Sequence, residues 1–287
     1  MRSTASERDN VAERDDVAEW DVARPERPIQ VPGVSMAGFQ IRELDALRMI
    51  PHPAVTLALE FGPGQPVVDD ATGHRHRGSL VAGLGFGGGV LVHGENVACV
   101  QVRLSPVVAQ AILGVSPADL DGFVVSLDDL WGREATQIRE RLGDTPSWEE
   151  RFSLTNALLT RRYEAGSSID PEVAWAWRRI TTSHGLVRID GLATELGWSR
   201  KRLWSRFLSQ IGLPPKRTAK LVRFDHATHR LVAGQSAAQV AADTGYADQS
   251  HLHRDIVTTA GVTPAVVAGE PWLTVDDVAW PDHGTPA

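Results

Sequence analysis

Two stretches in the last third of the chain repeat one another almost in register. The first runs Leu192-Ala193-Thr194-Glu195-Leu196-Gly197-Trp198-Ser199, then Arg200 to Phe207, then Gly212-Leu213-Pro214-Pro215. The second runs Val240-Ala241-Ala242-Asp243-Thr244-Gly245-Tyr246-Ala247, then Asp248 to Ile256, then Gly261-Val262-Thr263-Pro264. Ala193 and Gly197 meet Ala241 and Gly245 at an offset of 48, while Leu203, Phe207, Gly212 and Pro215 meet Leu252, Ile256, Gly261 and Pro264 at 49. The second copy therefore carries one extra residue after its turn.

Each copy reads as a helix-turn-helix. The small Ala lets two helices approach closely. Gly197 and Gly245 supply positive φ in a tight turn. Trp198 and Tyr246 plug the turn, and Ser199 and Asp248 suit the N-cap of the helix that follows. In that helix Leu203 and Phe207, four apart, face inward. Lys201, Trp204, Ser205 and Leu208 then share much of the opposite side. Gly212 and Gly261 end the helices, and the prolines stop their continuation. An ordinary αα-hairpin has the same ingredients, so one copy alone does not define a DNA reader.

Charge adds a second constraint. Residues 175–268 hold 13 basic and 6 acidic side chains, a net +7, which leaves −14 on the remainder of a chain whose total is −7. A basic module joined to an acidic remainder points to a polyanion partner, with a solvated basic helix face as the plainer alternative.

The rest of the chain divides by composition and period. Residues 1–28 are rich in Glu, Asp and Arg and poor in apolar side chains, which predicts a disordered acidic tail. Residues 29–165 read as a β-rich domain with helices at its C-terminal end. Its apolar runs Ala54–Phe61, Ser79–Leu84, Gly89–His93 and Val97–Leu104 are punctuated by Gly and Pro. Ser105-Pro106 opens the first helix, and further helices are expected over about 132–142 and 147–164. Glu164 to Ile169 reads as a linker. Pro171 starts a helical region that ends near Ala268, giving a second domain over 166–270. The last residues, 271–287, read as a flexible tail with exposed Trp272 and Trp280. The predicted fold class is thus α+β for the N-terminal domain and all-α for the C-terminal one.

The pattern Leu-Ala-x3-Gly-x-Ser-x3-Leu-x3-Phe-x4-Gly-x2-Pro, a linking helix, then Ala-x3-Gly-Tyr-x3-Ser-x-Leu-x-Arg and Gly-Val-Thr-Pro resembles the AraC/XylS family of bacterial transcription regulators. The likeness covers about residues 172–268. It implies two helix-turn-helix subdomains held apart by a central helix, here about Pro215 to Val232, with both second helices entering successive major grooves roughly 34 Å apart. It implies base reading by Lys201, Trp204 and Ser205 in the first copy and by Gln249, Ser250, His253 and Arg254 in the second. Arg200, Arg202 and Arg206 are then expected to grip phosphates. Gln and Arg can each bond a base bidentately, adenine and guanine respectively. Two departures stand out. Ile256 replaces the usual Phe, and Val257-Thr258-Thr259-Ala260 lacks the customary basic residues. With Asp248 and Asp255 also placed near DNA, the first copy is expected to contribute more electrostatic affinity and the second to bind more weakly or to serve mainly activation contacts. The β-rich half, with Arg103-Leu104-Ser105-Pro106 and Leu127-Asp128-Asp129-Leu130-Trp131-Gly132, is similar to the sensor-like domain of actinobacterial members. That likeness implies an effector or dimerisation role without naming a ligand.

Other patterns carry less. Gly83 to Gly88 satisfies GxGxxG, but a strand-like Val90-Leu91-Val92 follows where a dinucleotide loop needs a helix. His74-Arg75-His76 with His52 and His93 lacks a carboxylate at metal-ligand spacing and reads as a solvated loop. Cys99, the single cysteine, excludes an internal disulfide and a multi-Cys zinc site. It reads as a buried structural thiol. Asp128-Asp129 suits a helix start rather than a catalytic pair. No catalytic residue, metal or cofactor is expected. The N-terminus shows no apolar signal-like run and no stretch suits a bilayer, so a cytoplasmic location without membrane contact is expected. The expected function is a sequence-specific regulator, more an activator than a repressor. Its expected partners are promoter DNA, RNA polymerase, a small-molecule effector and a second copy of the chain. The alternative is a small-molecule-binding or metal-dependent enzyme acting through the β-rich domain.

Overall fold

The computed structural model describes residues 20–70, 72–85, 90–120 and 124–280. Two long strands organise the N-terminal domain. β2 (Val34–Arg48) and β7 (Leu91–Leu104) pair antiparallel from Val34 opposite Leu104 to Arg48 opposite Leu91, with a register irregularity between Leu44 and Leu47. Around them lie β1 (Trp20–Ala23), β3 (Val55–Glu60), β4 (Val67–Asp69), β5 (Arg75–Arg77), β6 (Leu80–Ala82) and β8 (Val124–Ser126). The sheet order is β1-β2-β7-β3-β6-β8, and β4 joins the far end of β7 to β5. Strand alternation gives the sheet two working faces. Val55, Leu57, Leu59, Val100, Val102 and Leu104 point to the helices and are all buried. Thr56, Ala58, Val97, Cys99 and Gln101 point the other way, into an apolar chamber.

Four helices follow: α1 (Pro106–Leu113), α2 (Leu127–Trp131), α3 (Arg133–Asp144) and α4 (Trp148–Ala165), with a 3-10 turn at Pro117–Leu120. Pro106 opens α1 as its sequence demands, and Gly114 closes it at φ +81°. Ser126 accepts from the Asp128 N–H, so the paired aspartates occupy a helix start. α4 reaches the sheet because Gly38 lies beneath it: a Cβ there would sit 2.4 Å from the Trp148 ring.

The C-terminal domain comprises α5 (Pro171–Thr182), α6 (Ile189–Glu195), α7 (Arg200–Ile211), α8 (Pro215–Val232), α9 (Ala237–Asp243), α10 (Gln249–Ala260), α11 (Pro264–Ala268) and α12 (Pro271–Ala279). Fully buried Phe207 and Phe224 anchor it, each contributing about 1.5–3 kcal/mol of transfer free energy. The apolar core is continuous from Val31 through α1 and α4 into α5, α7, α8 and α10. The segment expected to be a linker is held at both ends. Gly166 is packed on Ala111 of α1, where a Cβ would fall 2.4 Å from the carbonyl oxygen. The Asp170 N–H donates to Gln210 Oε1 at 2.7 Å.

Both ends of the chain correct the sequence reading. Of the expected acidic tail, residues 1–19 lie outside the described residues, but Trp20–Ala23 is a strand paired with Gly38–Ile41. Trp20 gains an edge-on contact with Phe39, which local composition could not reveal. The expected flexible tail contains α12, and Trp280 is buried rather than exposed. It joins Ala279 against Ala37, Phe39 and Ile41 of β2. Part of the GxGxxG run, residues 86–88, lies outside the described residues.

Candidate nucleic-acid interface

The two copies of the repeat fold alike, down to their backbone hydrogen bonds. The Trp198 N–H donates to the Ala193 carbonyl at 2.9 Å, and the Tyr246 N–H donates to the Ala241 carbonyl at 3.0 Å. Gly197 and Gly245 take φ +65° and +75°, a region that L side chains reach only with strain. The caps also correspond. Ser199 Oγ accepts from the Arg202 N–H at 3.2 Å, and Asp248 Oδ1 accepts from the His251 N–H at 2.7 Å. Gly212 and Gly261 end α7 and α10 in left-handed conformations, as their positions required.

In α7 the residues Leu203, Phe207 and Ile211 are buried, so the register of the helix is set. Lys201, Trp204 and Ser205 are exposed on its other side, and Trp204 keeps 51% of its surface open. In α10 the buried set is Leu252, Asp255, Ile256 and Ala260, while Gln249, Ser250, His253 and Arg254 are exposed. Every candidate base reader thus lies on the solvent side of its helix.

The expected phosphate-binding arginines are less free than the sequence suggested. Arg200 is 2.9 Å from Asp190 of α6. Arg202 lies over the Trp198 ring, 4.5 Å from its centroid. Arg206 donates through Nε to Asp170 at 2.8 Å, ahead of α5. Hydrogen bonding with Gln210, and then with Arg206, holds the Asp170 carboxyl below the usual carboxylate range. Arg206 therefore faces the start of α5, and phosphate contact would require it to leave Asp170.

Asp255 corrects a second expectation. It does not face the DNA side. Its carboxylate is buried, 2.6 Å from Lys220 Nζ of α8, and it accepts from Tyr246 Oη at 2.8 Å. Arg223, whose guanidinium lies over the Tyr246 ring, adds a longer contact at 3.9 Å. Burial, with Asp255 beside it, pushes the Tyr246 hydroxyl upward, so it stays a donor. Three elements, the turn, α8 and α10, are pinned by one carboxylate. Sequence reasoning missed this because Asp255 looks like a surface charge until the helix phase places it inward beside Leu252 and Ile256. Arg230 links α8 to α9 in the same manner, through Asp243 at 2.6 Å.

The β domain touches the first reader directly. Ser116 Oγ donates to the Ser209 carbonyl at 2.6 Å. A Cβ on Gly212 would lie 2.7 Å from the Pro117 carbonyl oxygen. The end of α7 is thus seated on the 3-10 turn of the N-terminal domain.

The histidines singled out in the sequence are paired with aspartates. His76 Nε2 is 3.0 Å from Asp70, and His93 Nε2 is 2.9 Å from Asp69, which Arg75 also bonds. His52 faces Asp225 of α8 at 3.5 Å. Among the described residues no group of three or more His, Cys, Asp or Glu side chains is arranged to hold a metal. Burial pushes the Cys99 thiol up to about 12, which makes it a poor nucleophile. No described helix is long and apolar enough to cross a membrane.

Two capped helix pairs, each with an exposed outer face, joined by the α8 spacer define a double helix-turn-helix domain. Residues 192–269 match a family described as "Helix-turn-helix domain". The C-terminal part of the chain thus carries a helix-turn-helix domain. No curated protein matches the chain. Among solved structures it is similar to ToxT from Vibrio cholerae, at 10% identity and a TM-score of 0.47, over 83% of this chain and 98% of that one. The C-terminal domain of AraT, a response regulator from Geobacillus stearothermophilus, gives 20% identity and a TM-score of 0.34, over 36% of this chain and 88% of that one. The AraC-like transcriptional activator CuxR gives 16% identity and a TM-score of 0.31, over 66% and 79%.

Proposed function

We propose that the protein is a cytoplasmic, sequence-specific transcription activator that reads two successive major grooves of promoter DNA. The observation that carries this reading is the equivalence of α7 and α10: each is capped, anchored by its inner face and open along its reading face. α7 presents Lys201, Trp204 and Ser205, and α10 presents Gln249, Ser250, His253 and Arg254. Base discrimination falls to these residues, and Arg200 and Arg202 supply phosphate contacts once their internal partners are exchanged for DNA. No covalent chemistry is involved. RNA polymerase is the partner through which bound protein activates, and a second copy of the chain pairs with it on the promoter.

The β domain acts as the sensor. Its seat on α7 supports this role, because any rearrangement at the 3-10 turn reaches the first reader through Ser116–Ser209 and Gly212. An effector then changes affinity by favouring one arrangement of the two domains.

Selection of genomic fragments by the full-length protein at near-physiological salt tests the reading. Two boxes about one helical turn apart are expected. A single box would remove α10 as a base reader, and absence of any motif, with and without residues 1–165, would overturn the function.

A further inference from the structure

The turn between α5 and α6, residues 183–188, leads into the first repeat but is not confined to it. It lies across α8. Gly185, at φ +76°, sits so close that a Cβ there would fall 2.1 Å from the Ala219 carbonyl oxygen and 3.0 Å from the Arg223 backbone nitrogen. His184, at φ +49°, stacks its ring on His226 of α8 with centroids 4.1 Å apart. From within, the Gly185 N–H donates to the Ile180 carbonyl at 2.9 Å and the Val187 N–H to Ser183 Oγ at 3.1 Å. Beyond α8 the turn meets the second repeat. A Cβ on Gly245 would lie 2.4 Å from Leu186 Cδ2, whereas at Gly197, the equivalent glycine of the first copy, nothing lies within 4 Å of that position. Positive φ asks for glycine at both places, so turn chemistry accounts for the pair of glycines and not for the neighbour found at only one. Leu186 is 52% exposed, too open for a core residue of its own unit. Arg223 completes the contact: its backbone receives Gly185, and its guanidinium lies over the ring of Tyr246, next to Gly245.

We propose that this turn is a brace between the two helix-turn-helix units, and that Leu186 is a positioning residue that fixes which spacing of two DNA boxes the protein accepts. The proposal rests on α7 and α10 both reading DNA. α8 sets the span between the units, and a contact off its axis is what opposes a roll of the second unit about it. One helical turn of DNA holds about 10 base pairs, so a change of one pair in spacing carries a box about 36° around the duplex. A unit free to roll follows that displacement, and a braced one does not. Leu186 touches no base in this role.

The test uses the full-length chain and has two arms. In the first, without DNA, nitroxide labels on Thr194→Cys in α6 and Thr258→Cys in α10, both exposed positions, report the distance between the units in a Cys99→Ala background. A narrow distance distribution is expected for Leu186, a broader one for Leu186→Ser, and a narrow one again for Leu186→Met, which restores the apolar reach. Thermal unfolding shows that each variant is folded. In the second arm, affinities are measured on the selected operator, on operators one base pair longer or shorter between the boxes, and on each box alone. Leu186→Ser is expected to lower the preference for the best spacing about fivefold, the worth of half a buried leucine. Leu186→Met is expected to restore it, with affinity for each single box the same in all three proteins. An unchanged distance width, an unchanged spacing preference, or a loss at the single boxes in its place overturns the brace. A broadened distance in Leu186→Ser, in a protein that selects no two-box operator, keeps the brace and removes the DNA reading instead.

Discussion

Arg103, next to the last residue of β7, forms an ion pair with Asp276 of α12, and both side chains are buried. The guanidinium also lies over the Trp280 ring, 4.3 Å from its centroid, and His229 of α8 stands 3.8 Å from the same carboxylate. A strand of the β domain, the central helix of the C-terminal domain and the last described helix thus meet at one carboxylate. Burying two charges costs several kcal/mol of hydration, which the pairing and the aromatic face offset.

Asp276→Ala leaves Arg103 buried without its counter-charge. The expected loss is about 3–5 kcal/mol of stability in denaturant unfolding of the full chain. Replacing both partners, Arg103→Leu with Asp276→Leu, should recover most of it. A double variant as unstable as the single one would show that the pair itself is not the source.

Lys201→Ala and Arg254→Ala should each relax discrimination at one box only, by about 1–3 kcal/mol between right and wrong bases. Binding measured on operators mutated box by box decides this. Uniform loss on all sequences from Lys201→Ala would assign it to phosphate instead.

Arg200→Ala and Arg202→Ala should weaken binding on every sequence and lower the salt slope by about one unit each. Arg206→Ala should change the slope less, because its guanidinium is held by Asp170. Salt titrations of the three variants on one operator give the comparison. An equal drop for Arg206→Ala would mean that DNA draws it away from Asp170.

Asp255→Ala removes the acceptor shared by Lys220 and Tyr246. Loss of about 2–3 kcal/mol is expected from the buried hydroxyl left without its acceptor and the ammonium left without its counter-charge. Its DNA phenotype should be confined to the box read by α10. Equal weakening at both boxes would show that the network stabilises the domain without positioning the helix.

His226 gives a pH dependence of known sign. Burial, and then the stacked His184 ring 4.1 Å away, holds its imidazole down at about 4. The unfolded chain therefore takes up the proton first, so stability is full above about pH 6.5 and falls as pH drops toward 4. His226→Phe should remove about 1–2 kcal/mol of the difference between pH 7 and pH 4.5, after allowance for partial exposure. Parallel pH profiles in the variant and the parent would contradict the assignment.

Much of the C-terminal domain is written locally. Positive φ at Gly197 and Gly245, caps at Ser199 and Asp248, and Pro215 at the start of α8 act within a few residues, so the repeat declared its own turns, helix limits and outward faces. In the β domain β3 and β6 were legible as apolar runs with Gly and Pro borders, and β7 joins two such runs, Gly89–His93 and Val97–Leu104, into one strand. β1 was not, because Trp20 and Val22 gain their apolar neighbours from β2 and α12. Gly38 was readable only as a glycine until Trp148 arrived above it. Asp255 and Arg206 carry charges that composition counts alike, yet one is buried beneath a turn and the other tied to Asp170. Local backbone chemistry determined which helices form and which sides they offer to solvent. Tertiary packing alone decided which charges remain unpaired at the surface, where α12 lies and what the β domain encloses, since burial and pairing depend on residues far apart in the chain.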